Sequence, residues 1–231
     1  MGSQANLHST ALTRHHASSL WLRIGFWVSI AIAVAVVIRR VLALAFPSPN
    51  LPPQLAALDS TFDSHTALTL AHILPALAFV LVLPFVVFSR FADLQWPERA
   101  IFPLGGIVAL TAYAMSTFPV GGWTERSAVL FFNSLFLFSL LRAYAYSRRG
   151  EQALKRRWLL RAIAILLGIA TTRPVMGVFF ATSSRTHLTP NQFFGIAFWI
   201  GFSVDWIAFE IWIRTRVPQL HTERAPATSH R

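Results

Sequence analysis

The chain has 231 residues, of which 55% are hydrophobic and 13% are charged, whereas soluble domains carry about 25% charged residues. It contains no cysteine, which excludes disulfides, thiolate metal sites and cysteine nucleophiles. The net charge of +11 does not indicate a nucleic-acid partner, because the basic residues lie at the ends of apolar stretches and form no reading motif. This composition predicts a membrane protein.

Six apolar stretches meet or approach the roughly 20 helical residues needed to cross a hydrocarbon core about 30 Å thick. They predict an all-α, polytopic membrane protein with a bundle of six transmembrane helices over residues 20–216. The polar segments 1–19 and 217–231 are expected to be disordered tails. In chain order the six stretches are Leu20–Phe46, Thr66–Phe88, Ala100–Val120, Ala128–Tyr146, Trp158–Ala181 and Asn191–Ile213.

The first stretch differs from the others because Arg39 and Arg40 interrupt it near its end. Its charged start and short apolar core also suit a signal peptide, but two arginines before the small residues at 43–45 disfavour cleavage. We therefore expect a retained helix. Its arginines would either reach the outer headgroups or point into the bundle.

The distribution of Lys and Arg predicts the orientation of the chain. If the N-terminus is cytoplasmic, most of the 20 basic residues fall on the cytoplasmic side, and Asp59 and Asp63 fall outside. An excess of basic residues marks the cytoplasmic side of membrane proteins. The pattern predicts a bacterial inner-membrane protein with both termini in the cytoplasm.

Four basic side chains at membrane depth form the most informative group. Arg39, Arg40, His72 and Arg173 come from three predicted helices and fall at similar depth in the outer third, where no intramembrane acid matches them. Ionisable residues at such depth indicate a site by default, and guanidinium groups suit carboxylates and phosphates. The group predicts an outward-facing pocket in a binding or transport module for a small anionic or lipid-like ligand.

A structural interpretation of the same residues stays open. Arg173 could bond carbonyls freed by Pro174, or pair with Asp59 or Asp63, while the other arginines reach the headgroups. The buried charges would then only stabilise helix packing. In that case the protein would be a structural or partner subunit of a membrane complex.

Two acidic residues lie closer to the cytoplasmic side. Asp205 is expected either to pair with an arginine such as Arg142 or Arg161, or to carry a proton. Glu210 and Arg214 have the spacing of an i,i+4 helical ion pair.

A redox function is a further alternative. His72 is the only histidine within a predicted span, and Met115 and Met176 reach similar depth, so a haem with His/Met ligation is conceivable, as is a quinone. No other cofactor or metal is indicated. The sequence also lacks a nucleophile elbow, a metalloprotease helix motif, a phosphate loop and a dinucleotide fingerprint, and therefore does not support an enzyme.

The second to sixth stretches resemble an uncharacterised family of bacterial multi-pass membrane proteins, domain of unknown function 2306. Two departures concern histidines typical of that family, because Lys155 and the segment 99–105 stand where the family has them. The family has no established activity to carry over, so the resemblance implies the membrane topology and the interest of His72 and Arg173. The similar segments are Leu70–Ile73, Lys155–Arg161, Ile169–Arg173 and Glu210–Arg214.

Overall fold

The computed structural model describes residues 3–46, 59–60, 62–88 and 96–216, with side chains described from Leu20 onward except at 184, 190 and 216. Over these residues the chain is helical and contains no strand, which confirms the all-α prediction. The predicted tail at 217–231 lies outside them. The helices are α1 (Ser3–Ala45), α2 (Thr66–Val87), α3 (Trp96–Met115), α4 (Gly122–Arg148), α5 (Gln152–Thr186) and α6 (Pro190–Arg216).

Five of these helices are long and apolar enough to span a membrane. The exception is α3, which the sequence predicts as a span over Ala100–Val120. The helix instead begins at Trp96 with a polar turn that contains Glu98, and it ends at Met115. Its apolar part is therefore short for a hydrocarbon core, and a sixth span stays a prediction. The five apolar segments are Leu20–Ala45, Thr66–Val87, Gly122–Arg148, Gln152–Ser183 and Asn191–Thr215.

Helix α1 is the most peripheral of the five apolar helices. Only 11% of its apolar window is buried, against 22–39% in the other four. Its apolar segment begins at Leu20, whereas the helix itself begins at Ser3. Residues 3–19, assigned by composition to a tail, therefore continue this helix.

Five of the helices pack as a ring, and the sixth packs against two of them. Helix α1 packs against α2 and α5, and the series α2–α3, α3–α4 and α4–α5 closes the ring. Helix α6 packs against both α4 and α5. Five helices around a ring leave space between them that side chains must fill, and here they fill it only in part.

A close approach of α5 and α6 sets the rotation of α5. A Cβ added to Gly201 would lie 2.6 Å from Cγ2 and 2.7 Å from the backbone nitrogen of Thr172. Small residues allow such contacts between membrane helices. Because Thr172 precedes Arg173, this contact holds the turn of α5 that carries the arginine.

Replacing Gly201 by alanine is expected to lower the free energy of unfolding by about 1–3 kcal/mol, since backbone atoms of α5 cannot yield as a flexible side chain can. Gly106→Ala in α3 is the matched control, because nothing lies within 4 Å of its added Cβ. The control should be neutral or stabilising by up to about 1 kcal/mol. Thermal unfolding in detergent, followed by tryptophan fluorescence, measures both, and equal losses would contradict the prediction.

Candidate ligand-binding cavity

The helices form a partly open cavity of about 470 Å³ that all six of them line. This volume lies within the roughly 300–1,000 Å³ typical of small-molecule pockets. The four residues that the sequence predicts to form a pocket, Arg39, Arg40, His72 and Arg173, all line it. The structure thus brings together side chains that lie far apart along the chain.

Arg39 and Arg40 share one carboxylate at the rim of the cavity. Arg40 Nη1 lies 2.5 Å from Asp59 Oδ1, and Arg39 Nη2 lies 3.4 Å from Asp59 Oδ2. The Arg40 guanidinium also stacks over the Phe62 ring at 4.0 Å. The Arg40 side chain is 14% exposed and that of Arg39 48%, so Arg40 is the inner member of the pair.

Arg173 has no carboxylate partner within ion-pair distance among the described residues. Its Nε is buried without a hydrogen-bond partner, and Nη1 makes only a 3.8 Å contact with the sulfur of Met176. The predicted pairing of Arg173 with Asp59 or Asp63 is wrong. The Asp59 carboxylate pairs with the α1 arginines instead. The Asp63 carboxylate accepts a hydrogen bond from the Thr66 hydroxyl at 3.4 Å.

Glu125 is an acidic residue of the cavity that the sequence analysis missed. Its Oε2 accepts a hydrogen bond from the Gly121 backbone N–H at 2.6 Å, and its charge acts on Arg173 without a direct ion pair. The sequence analysis began this span at Ala128, which left Glu125 in a loop, whereas α4 begins at Gly122. An acidic residue at the start of a helix was the available signal.

His72 and Asn133 add neutral hydrogen-bonding groups to the lining. His72 Nδ1 lies 2.9 Å from the Thr111 hydroxyl, which also donates to the Ile107 carbonyl at 2.7 Å. Asn133 donates from Nδ2 to a backbone carbonyl of α3 at 2.9 Å, which leaves its amide oxygen as an acceptor.

The cavity becomes apolar away from the arginines. Ile165 lines it two helical turns from Arg173, and Val80 lines it two turns from His72, about 12 Å along each helix. Five phenylalanines from α4 and α6 line the cavity as well. The cavity therefore combines a polar end, defined by Arg39, Arg40, Glu125 and Arg173, with an apolar extension lined by Val80, Phe132, Phe136, Ile165 and Phe202.

The three residues considered as possible haem ligands also line the cavity. His72, Met115 and Met176 all contribute to its surface. The Met176 sulfur, however, faces the Arg173 guanidinium at 3.8 Å, and a nearby cation disfavours a further positive iron at that atom. Among the described residues, no group of three or more His, Cys, Asp or Glu side chains could hold a metal ion.

Asp205 lies outside the lining of the cavity, and its predicted partners are wrong. Its two carboxylate oxygens accept from the Thr171 hydroxyl at 2.9 and 3.0 Å. Arg161 pairs with a different acid, and Arg142 donates to the Tyr146 hydroxyl at 2.5 Å. The reason is helix register, because the antiparallel packing of α5 and α6 sets Thr171 opposite Asp205.

Glu210 also lies away from the cavity. Its Oε1 accepts from Arg161 Nε at 2.5 Å and its Oε2 from Arg161 Nη2 at 3.2 Å. The predicted i,i+4 pair with Arg214 is present at the longer distance of 3.8 Å. The bidentate interhelical pair is therefore the main interaction of this carboxylate.

No protein family, curated protein or solved structure matches the chain. The resemblance to domain of unknown function 2306 consequently stays a prediction.

Proposed function

We propose that this protein is a binding or transport module for an amphiphile with an anionic headgroup, which occupies the cavity with its headgroup at the polar end. The observation that carries the proposal is Arg173, a guanidinium that lines the cavity without a carboxylate within ion-pair distance among the described residues. A buried charge is costly unless it is paired and hydrogen-bonded. A carboxylate or phosphate is the group that would supply both.

The charges around the polar end favour an anion. Three arginines face two carboxylates there, because Asp59 neutralises one of the α1 arginines and Glu125 offsets one more charge. One positive charge remains. The Asn133 amide keeps a second N–H that can donate to the oxygens of such a headgroup.

The apolar extension favours a hydrocarbon tail. Aromatic and branched side chains line it for about two helical turns beyond the polar end. A small hydrophilic anion would leave this surface without contacts, whereas an alkyl chain gains about 0.8 kcal/mol per buried CH₂. The ligand is therefore lipid-like rather than a simple inorganic anion.

The proposal includes an orientation of the helices in the membrane. We place both termini in the cytoplasm of a bacterium, with α3 as a sixth span of the inner membrane, because the basic residues concentrate at the end of the bundle opposite Arg173. The polar end of the cavity then faces outward. An amphiphile in the outer leaflet could reach it from the lipid.

Three ligands with the same tail test the proposal: decanoate, decanamide and decylamine, added to the protein in nanodiscs of neutral lipid. Decanoate should raise the thermal midpoint most, with a gain near 2.7 kcal/mol at a concentration about 100 times its Kd. The amide should act weakly and the amine should not stabilise. Equal stabilisation by all three would show that only the tail is recognised and would refute the anionic headgroup.

A further inference from the structure

A second cluster of charges lies at the opposite end of α5 and α6. Three arginines surround one carboxylate there. Glu210 forms the bidentate pair with Arg161, Arg214 Nε lies 3.8 Å from it, and Arg157 lies close enough to act on its charge. We call these four residues the Glu210 cluster.

The Glu210 cluster carries two positive charges in excess. Arg161 and Glu210 are 15% and 16% exposed and satisfy each other. Arg157 Nε is buried and has no hydrogen-bond partner among the described residues, and the Arg214 side chain is 79% exposed. Two guanidinium groups therefore keep donors for an anion that the described residues do not supply.

Apolar and aromatic groups adjoin the cluster. The Arg161 guanidinium stacks on the Trp158 ring at 4.6 Å, and Trp212 packs against Phe209. Ile211 is 59% exposed on the lipid-accessible surface of α6. Tryptophans mark the interfacial zone of membrane proteins. An anion at this place would have acyl chains beside it rather than water alone.

We propose that the Glu210 cluster is a second binding site, which takes the phosphate group of an anionic phospholipid through Arg157 and Arg214. Arg161 lies three helical turns from Arg173, about 18 Å along α5, so this site is separate from the cavity. Basic pockets between membrane helices are suited to phospholipid headgroups. The inference does not depend on the proposed function of the cavity.

The test compares two double variants that remove the same charge from the same end of the bundle. Arg157→Gln/Arg214→Gln removes the free donors, whereas Arg148→Gln/Arg149→Gln removes two exposed arginines just before α5. Protein purified in neutral detergent is titrated with phosphatidylglycerol or phosphatidylcholine, and bound lipid is counted by native mass spectrometry. The cluster variant should bind phosphatidylglycerol at least about tenfold more weakly, and the control should bind it like the original protein.

Three outcomes overturn the proposal: equal weakening in both double variants, no weakening in either, or equal binding of phosphatidylcholine. The single variant Arg214→Gln guards against misfolding, because its exposed side chain can be lost without unfolding α6, and it should show an intermediate loss. Inorganic phosphate forms a separate arm. If it displaces the lipid at millimolar concentration, the site binds phosphoryl groups from either source; if it does not, the lipid is the ligand.

Discussion

Replacing Arg173 by methionine is expected to stabilise the ligand-free protein and to abolish its stabilisation by decanoate. The guanidinium has a buried Nε without a partner and no ion pair among the described residues. Methionine has similar length, suits the apolar lining, and removes the cost of desolvating a charge. Replacing buried charges by apolar side chains can stabilise by about 1–4 kcal/mol. A gain in stability together with a loss of decanoate binding is expected for a ligand-binding arginine. Replacement of a structural arginine would instead lower the stability.

The control for this prediction is Arg39→Met at the rim of the same cavity. Arg39 is 48% exposed and lies 3.4 Å from Asp59, which keeps its shorter contact with Arg40. Its loss should change stability by less than about 1 kcal/mol and weaken the decanoate response without abolishing it. Thermal unfolding with and without ligand measures both variants. If Arg173→Met instead destabilises the protein and retains the decanoate shift, the arginine is structural and the structural-subunit interpretation is favoured.

Replacing Glu210 by alanine is expected to destabilise the protein by about 1–3 kcal/mol. The reason is that Arg161, only 15% exposed, loses both hydrogen bonds of its bidentate pair and keeps its charge. Removing one partner of a buried ion pair is far more costly than removing both. The double variant Arg161→Met/Glu210→Met should therefore recover most of the loss.

Glu151→Ala is the matched control for the loss of an acid. Glu151 is exposed before α5 and makes no capping hydrogen bond through its side chain. Its replacement should change the unfolding free energy by less than about 0.5 kcal/mol. The measurements belong in neutral lipid, so that a bound anionic lipid does not compensate Arg161. Similar effects of Glu210→Ala and Glu151→Ala would show that the interhelical pair contributes nothing to stability.

The composition of the polar end was predictable only in part. Counting residues from the ends of each apolar stretch gives Arg40, His72 and Arg173 similar depths, and all three line the cavity. The same counting missed Glu125, because the boundary of α4 was set by hydropathy, and a helix can begin with polar residues before its apolar stretch. The counting also could not predict that the Asp59 carboxylate would form ion pairs with the arginines of α1.

The sequence by itself determined the helical class and the apolar segments of five helices, and it predicted a depth for each ionisable residue, because hydropathy and helical rise are local properties that follow from neighbouring residues. Only the tertiary structure decided which charges meet. Arg161 contacts Glu210 rather than Asp205, and Arg173 has no ion-pair partner among the described residues, because these outcomes depend on the register and rotation of packed helices. Contacts such as that of Gly201 with Thr172 set that register, and no single stretch of sequence contains them.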